Sequence, residues 1–338
     1  MSNEADSVAV RVLRGAHEDA VHSASVAVVD ARGELVHAHG DPARPVVIRS
    51  AAKPFQALPL VATGAADALG LGPHELALAS SSHNGSDLHV AGVRRLLALA
   101  GVGPEALRCG AHLPIELRLR GAYPTHGEDK DPLRHNCSGK HAGFLALARQ
   151  LGAAPDSYLD PDGAVQIAVR RAIEDACELA AGSLVAALDG CSAPTYAMPL
   201  VALAVGFKNL ALGRAADATE SRALTRVRDA MQAAPLLVSG EGRFDYDLAR
   251  SFPDNVVNKG GAEAVLGLGF RDPPLGIALK VHDGGERALA PLAVAVLREL
   301  GLVPDLARVP LLARHERPAL RNYAGLLVGE IRARVTLR

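Results

Sequence analysis

The stretch Arg49-Ser-Ala-Ala-Lys-Pro-Phe-Gln56 follows a turn cluster and a short strand-like run at 46–48. Ser50 and Lys53 are three positions apart at the predicted start of a helix, so their side chains lie on one face. A neutral lysine there can take the proton of the serine hydroxyl, which leaves a nucleophile able to attack a carbonyl carbon. The sequence therefore predicts Ser50 as a nucleophile and Lys53 as its base.

Around this stretch, strand patterns occupy both ends of the chain and helical patterns fill the middle. We predict one domain, 1–338, with sheet-forming parts at about 7–50 and 270–338 and a helical middle at about 51–235. The fold class is α/β (α+β): a central, mostly antiparallel sheet built from both termini, with helices packed on it. The predicted strands lie at 7–13, 21–29, 34–38, 46–48, 184–188, 275–281 and 325–335, and the predicted helices lie at 50–63, 73–80, 86–101, 138–151, 161–181, 194–211 and 217–233.

Some local features carry separate expectations. Ser50 is predicted to cap its helix, and Pro59 to bend that helix or end it early. The apolar run 184–188 is predicted to be a buried strand that leads into a loop. The turn signal Asp283-Gly-Gly285 predicts a hairpin. Residues 239–261 form a polar, glycine-rich stretch.

Composition indicates a globular chain with a substantial core. Apolar residues make up 49% and charged residues 22%, which excludes a disordered chain. The net charge is −1, without a basic stripe or acidic tail, so neither nucleic acid nor a membrane surface is expected as a partner. No secretory signal is visible and the apolar runs are too short to span a bilayer, so we expect a cytoplasmic protein. Of the four cysteines, Cys109 and Cys177 are expected to be structural.

The run His135-Asn-Cys-Ser-Gly-Lys-His141 indicates a metal site at the start of a helix. Cys137 precedes Lys140 by three positions and His141 by four, so the three side chains can share a face. The helix dipole stabilises a thiolate at this end. With Cys191 as a second thiolate, one nitrogen and a water, the set would suit Zn²⁺. The alternative is that both cysteines are small buried residues and His141 is a cap or core histidine.

Two further polar segments could contribute to a site. Ser80-Ser-Ser-His-Asn-Gly85 is a donor-rich loop that could bind a carboxylate or an oxyanion, with His83 and Asn84 as candidate substrate contacts; alternatively it caps the next helix. Lys259-Gly-Gly261 is similar to the Lys-Thr-Gly strand of serine β-lactamases. Its glycines would let a substrate approach the backbone, Gly261 included. A surface turn lysine is the alternative.

Together these segments resemble the L-asparaginase II family of the Rhizobium etli type, over nearly the whole chain and most closely at 49–56, 135–143 and 189–194. The resemblance implies a serine-β-lactamase-like fold, L-asparagine as substrate, a Zn²⁺ cofactor and a homodimer. The residues that it implies are Ser50 with Lys53 and Ser82 with Lys259 for catalysis, Arg49, Asp189 and His141 for substrate binding, and Cys137, Lys140 and Cys191 for zinc.

Two of these assignments keep alternatives. Ser80 or Ser81 could take the place of Ser82 if the loop shifts. Lys140 would bind zinc as a neutral amine, so occupancy should weaken as the pH falls. His141 is the next candidate ligand if Lys140 is not bound.

The hypothesis is amide hydrolysis in two steps. Ser50 attacks the side-chain amide of asparagine, ammonia leaves, and water then hydrolyses the β-aspartyl ester. The second serine–lysine pair could relay protons or hold Lys53 neutral through like-charge repulsion. Three alternatives stay open: a glutaminase with the same residues, a β-lactamase or D-alanyl-D-alanine peptidase, and a non-catalytic amino-acid- or metal-binding protein.

Overall fold

The computed structural model describes residues 7–122 and 130–338 of the chain. The N-terminal segment, on which the prediction of no secretory signal rests, lies mostly outside this range. The strands are β1 (Val8–Arg14), β2 (His17–Val29), β3 (Leu35–His39), β4 (Pro45–Val47), β5 (Val185–Leu188), β6 (Pro194–Pro199), β7 (Val256–Gly261), β8 (Val265–Arg271), β9 (Pro274–Val281), β10 (Ala319–Arg321) and β11 (Leu327–Ala333).

Most helices lie in the middle of the chain, and two more lie between β9 and β10. They are α1 (Lys53–Ala62), α2 (Ala65–Ala68), α3 (Pro73–Ala79), α4 (Asp87–Ala100), α5 (Ile115–Leu119), α6 (Ser138–Leu151), α7 (Ala164–Ala176), α8 (Leu200–Leu212), α9 (Ala218–Ala233), α10 (Pro235–Val238), α11 (Phe244–Ser251), α12 (Glu286–Glu299) and α13 (Pro310–Glu316). In the part of the chain that the structure describes, none of the helices combines the length and the apolar character that a membrane crossing requires.

The main sheet has eight strands and draws on both ends of the chain. Its order is β10-β11-β1-β2-β9-β8-β7, with β3 also paired to β2. All of its pairings are antiparallel. The predicted antiparallel sheet built from both termini is therefore confirmed. Its C-terminal share begins at Val256 rather than near residue 270, because the stretch 239–261 contains α11 and β7.

The region around Ser50 differs from the prediction in two ways. Ser50 does not cap a helix: it lies in a 3₁₀ turn, Arg49–Ala52, and α1 begins at Lys53. Pro59 does not end α1, which continues to Ala62. Nine of the ten residues of α1 are buried, and this packing outweighs the one backbone hydrogen bond that proline removes.

Three other local predictions are corrected. β5 is a strand, as predicted, but Val185 and Leu188 are 67% and 75% exposed, because β5 is the edge of a small sheet with the order β4-β6-β5. The predicted helix at 194–211 is divided at Pro199 into β6 and α8. No hairpin forms at 283–285, since β9 is followed by α12.

Both faces of the main sheet are covered by helices. Alternate residues of β2 enter two different cores, Ala27 and Val29 on one face and Val26 and Val28 on the other. On the first face, α8 lies directly on glycines of β8 and β9. A Cβ at Gly269 would lie 2.0 Å from the main-chain oxygen of Phe207. These glycines thus set the distance between the sheet and the buried helix layer that carries the site.

We predict that Gly269→Ala destabilises the fold. The added methyl group meets the backbone of α8, which cannot move without disturbing the core, so unfolding should become easier by about 1–3 kcal/mol. Urea denaturation measures this change. Gly190→Ala is the control, because a Cβ at Gly190 would meet nothing within 4 Å. Equal midpoints for the two variants would contradict the prediction.

Candidate active site

The turn that carries Ser50 is held between the small sheet and the main sheet. β4 pairs with β6, and the Ile48 amide continues that pairing to the Tyr196 carbonyl oxygen at 3.0 Å. Arg49 then adopts a left-handed conformation with φ of 47°, which costs energy for any residue with a Cβ. This strained residue turns the chain so that Ser50 is half-buried on the wall of a cavity.

Gly261 brings β7 against the same turn. A Cβ at Gly261 would lie 3.0 Å from both the Ser50 amide nitrogen and the Ile48 carbonyl oxygen. Glycine is therefore needed for close approach, as predicted, but here the approach is between β7 and the turn that carries Ser50.

Lys53 is fully buried and joins three segments of the chain. Its Nζ lies 2.6 Å from the Ser81 carbonyl oxygen, 2.8 Å from Ser82 Oγ and 3.4 Å from the Asn136 carbonyl oxygen. A neutral amine there can donate to the two carbonyl oxygens and accept from the Ser82 hydroxyl. Burial lowers the pKa of Lys53, although the Cys137 thiolate opposes this shift. The lysine predicted as a base is thus in surroundings that favour its neutral form.

Ser82 is the serine of the loop 80–84 that faces the site. Its hydroxyl bonds Lys53, and it lines the same cavity as Ser50. Ser80 Oγ instead donates to the Leu76 carbonyl oxygen at 2.9 Å. Within the described residues, Ser81 Oγ is buried without a hydrogen-bond partner. Ser82 is thus hydrogen-bonded to Lys53, whereas Lys259 was predicted as the partner of Ser82.

Lys259 is also fully buried, on β7, and its partner is a carboxylate. Its Nζ donates to the Gly260 carbonyl oxygen at 2.6 Å and to Asp245 Oδ2 at 3.3 Å. Burial lowers the pKa of Lys259 to about 8, with Lys53 and Arg243 adding to the shift and Asp245 opposing it.

The predicted zinc ligands come from two places that the fold brings together. Cys137 immediately precedes α6, whose first turn carries Lys140, and Cys191 lies in the loop between β5 and β6. Lys140 Nζ is 3.0 Å from Cys191 Sγ. A hydrogen bond with Cys191, together with the charges of Lys53 and Lys140, holds the pKa of Cys137 well below its usual range despite burial.

Arg49 and Asp189 connect this loop to the turn that carries Ser50. Arg49 Nε donates to Asp189 Oδ1 at 2.7 Å, and the Gly190 amide donates to the same oxygen at 2.8 Å. Burial raises the pKa of Asp189, but the charges of Lys140 and Arg49 outweigh it and the pKa is lowered. Arg49 lines a separate cavity beside Lys280, so the pair braces the turn from the side away from Ser82.

The sequence of the chain matches one known protein family. The sequence model of the family described as L-asparaginase II matches residues 10–333. The chain belongs to the L-asparaginase II family. No curated protein matches the chain. Among solved structures, a β-lactamase from Mycobacterium bovis is similar, at 17% identity and a TM-score of 0.40, over 82% of this chain and 94% of that one. Family membership supports an amidohydrolase activity.

Two residues predicted to touch substrate in this L-asparaginase II chain are instead used inside the protein. His83 is fully buried; its Nδ1 accepts from the Gly85 amide and its Nε2 donates to Ser138 Oγ at 2.9 Å. Asn84 Nδ2 donates to the Glu241 carbonyl oxygen at 3.0 Å. Neither residue lines the cavity of Ser50 and Ser82. These hydrogen bonds hold the loop in position, and substrate contact by His83 and Asn84 stays a prediction.

His141 also lies outside that cavity. Its Nδ1 bonds the Tyr158 hydroxyl at 2.8 Å, and burial lowers its pKa to about 4, so the ring is neutral. Its buried Nε2 lies near Cys191, and that side chain opposes the effect of burial on the pKa of His141. In residues 7–122 and 130–338, no three His, Cys, Asp or Glu side chains form a group that could hold a metal. His141 stays the alternative nitrogen ligand to Lys140. The sulfur, sulfur and nitrogen donors of Cys137, Cys191 and Lys140 remain a set that fits zinc.

Sequence reasoning missed Arg243 and Asp245, which lie in the polar stretch 239–261. Both line the cavity of Ser50 and Ser82, and Arg243 donates to the Ser82 carbonyl oxygen. The only local signal was a pair of charged residues next to glycine in Glu241-Gly-Arg-Phe-Asp245. Their partners are distant in sequence, so no spacing rule could have identified them.

We predict that Gly261→Ala impairs ammonia release from an amide substrate more than it impairs folding. The added Cβ would push β7 away from the Ser50 amide, and a displacement of about 1 Å can cost roughly 100-fold in rate. Steady-state kinetics and urea denaturation of the same preparation measure the two effects. Unchanged turnover would contradict the role assigned to this contact.

Proposed function

We propose that this chain is an L-asparagine amidohydrolase that uses Ser50 as its nucleophile and Lys53 as its base. The observation that carries the proposal is the buried Lys53 amine bonded to Ser82 Oγ at 2.8 Å, with Ser50 and Ser82 on the wall of one cavity. Membership of the L-asparaginase II family supports the substrate class. An amine and two hydroxyls arranged in this way can move a proton without an exposed base.

In the first step, the Ser50 hydroxyl proton passes to the neutral Lys53 amine, with Ser82 Oγ as the relay. Ser50 Oγ bonds to the side-chain carbonyl carbon of asparagine and forms a tetrahedral intermediate. The carbon–nitrogen bond then breaks, and ammonia leaves with the proton that Lys53 returns. The product of this step is a β-aspartyl ester of Ser50.

In the second step, water replaces ammonia. Lys53 accepts a proton from the water, whose oxygen attacks the ester carbon, and the bond to Ser50 Oγ breaks as the serine regains its proton. The products are aspartate and the free enzyme. Lys53 suits both steps because burial lowers its pKa and its oxygen partners are an uncharged hydroxyl and two carbonyl groups.

The proposal includes Zn²⁺ bound by Cys137, Lys140 and Cys191. Bound there, the ion would supply a Lewis acid and a fixed link between two segments of the chain. The loop that carries Cys191 also carries Asp189, and the hydrogen bond from Arg49 to Asp189 holds Arg49 beside Ser50. A metal bound to Cys191 would thus also fix the turn of Ser50. A homodimer and a cytoplasmic location stay predictions of the family resemblance.

We predict that Ser50→Ala abolishes ammonia release from asparagine and leaves the fold intact. Ser80→Ala is the control, because Ser80 is fully buried and its hydroxyl bonds the helix that precedes it, so its loss should change turnover little. Coupled ammonia detection and circular dichroism measure activity and fold. Turnover retained by Ser50→Ala would falsify the nucleophile assignment.

The same assay separates the competing substrates. Glutamine is one methylene longer than asparagine, and a cavity of about 880 Å³ admits both. One methylene usually changes specificity by roughly 10- to 200-fold. Faster turnover of glutamine would make the chain a glutaminase, hydrolysis of a cephalosporin would make it a β-lactamase, and asparagine binding without ammonia release would make it a binding protein.

We predict that Cys191→Ser removes bound zinc and that Cys177→Ser does not. Cys191 contributes one of only two thiolates to the proposed set, whereas Cys177 is buried in apolar surroundings that raise its thiol pKa. Metal analysis of purified variants should give about one zinc ion per chain for the wild type and Cys177→Ser, as a single site requires. A metal-free wild type with full turnover and stability would contradict this part of the proposal.

A further inference from the structure

The two buried lysines of the site have different partners. The hydrogen-bond partners of Lys53 Nζ are three oxygens that carry no charge, those of Ser81, Ser82 and Asn136. Lys259 donates to a carbonyl oxygen and to the carboxylate of Asp245. Lys259 thus has a carboxylate within hydrogen-bond distance, whereas the oxygens bonded to Lys53 are uncharged and the opposite charge near Lys53 is the Cys137 thiolate.

Asp245 forms hydrogen bonds with three consecutive residues of β7. Its Oδ2 accepts from the Lys259 ammonium at 3.3 Å and from the Gly260 amide at 3.1 Å, and its main-chain oxygen accepts from Asn258 Nδ2 at 3.1 Å. Asp245 is only 9% exposed, and it lines the cavity that contains Ser50 and Ser82. It therefore fixes both the position of Lys259 and the strand that approaches the turn of Ser50.

We propose that Asp245 is a positioning residue that holds Lys259 in place as the charged lysine of this site. The inference rests on the proposed amidohydrolase function and adds a residue to it. Lys259 and Gly261 are alternate residues of β7 and share one side of the strand, and Gly261 packs against the turn of Ser50. The charge so held therefore faces the region in which negative charge develops on the substrate carbonyl oxygen during attack. A fixed positive charge in a buried site stabilises such an oxyanion.

The charges around Lys259 show why Asp245 is needed. The groups that face it are Asp245 from α11, Arg243 from the segment before α11 and Lys53 from α1. Two of the three are cationic and disfavour the charged form, as burial does. Asp245 alone opposes them, and removal of its charge would leave Lys259 in a buried, positively charged setting in which it loses its proton.

The expected consequence is a change in pH dependence. Lys259 is charged below its pKa and neutral above it, so activity that needs the charge falls as the pH rises through that value. Without the Asp245 charge the pKa is lower, and the alkaline limb of kcat/KM against pH should move to lower pH by about one unit or more. Asp245→Glu, which keeps a carboxylate, should keep the limb close to that of the wild type.

The test compares Asp245→Asn with the wild type, with Asp245→Glu and with Asp247→Asn. Asp247 is the matched control: it lies on the same helix and is buried, but its carboxylate bonds Arg314 and, at 2.6 Å, His315. Removal of the Asp247 charge should lower the stability of the fold without shifting the alkaline limb of kcat/KM against pH. If Asp245→Asn does not fold, Asp245→Ser removes the same charge with a smaller side chain.

A second measurement does not depend on turnover. With lysines labelled at the ε carbon, NMR titration reports the pKa of Lys259, assigned by its absence in Lys259→Arg. A lower value in Asp245→Asn together with a shifted limb supports the proposal. An unchanged pKa, or a lowered pKa with an unmoved limb, overturns it. If the wild type hydrolyses no amide, the proposed function fails, and the titration alone decides whether Asp245 keeps Lys259 charged.

Discussion

The site depends on one buried primary amine. Lys53 has no exposure to solvent, so every hydrogen bond that water would have offered must come from the protein. Its partners belong to the loop 80–84 and to Asn136, which precedes α6. Gly139 lets α6 pack against the end of α3, since a Cβ there would lie 2.3 Å from the Leu78 carbonyl oxygen. Helix packing thus places the acceptors of the amine.

What the sequence revealed about the site is local. Ser50 with Lys53, and Cys137 with Lys140, are each three positions apart, and spacing alone predicts that each pair shares one face. The hydrogen bond between Ser82 and Lys53 was not predicted, because it depends on how the loop after α3 lies relative to α1. The pairing of Asp245 with Lys259 likewise joins residues 14 positions apart on different elements. No periodicity encodes such contacts.

The fold followed the same division between local and distant information. Apolar patterns located five strands of the main sheet, β1, β2, β3, β9 and β11, and its antiparallel character was inferred correctly. The patterns did not reveal β7, β8 and β10. The apolar run 184–188 was predicted to be a buried strand, but β5 is an exposed edge. Proline was ambiguous in the same way: Pro59 is tolerated inside a buried helix, whereas Pro199 stands where β6 gives way to α8. Burial decides whether a helix tolerates a proline, and burial depends on how the whole chain packs.

Three buried lysines of one site show how partner chemistry assigns different tasks to one side chain. Lys53 lies among uncharged oxygens beside the Cys137 thiolate, and burial lowers its pKa. Burial would lower the pKa of Lys140 too, but Cys191 and Cys137 raise it. Lys259, held by the Asp245 carboxylate, has a pKa of about 8. The same amine can therefore be a base, a partner of sulfur or a fixed charge, depending on the atoms that the fold places within 3.5 Å of it.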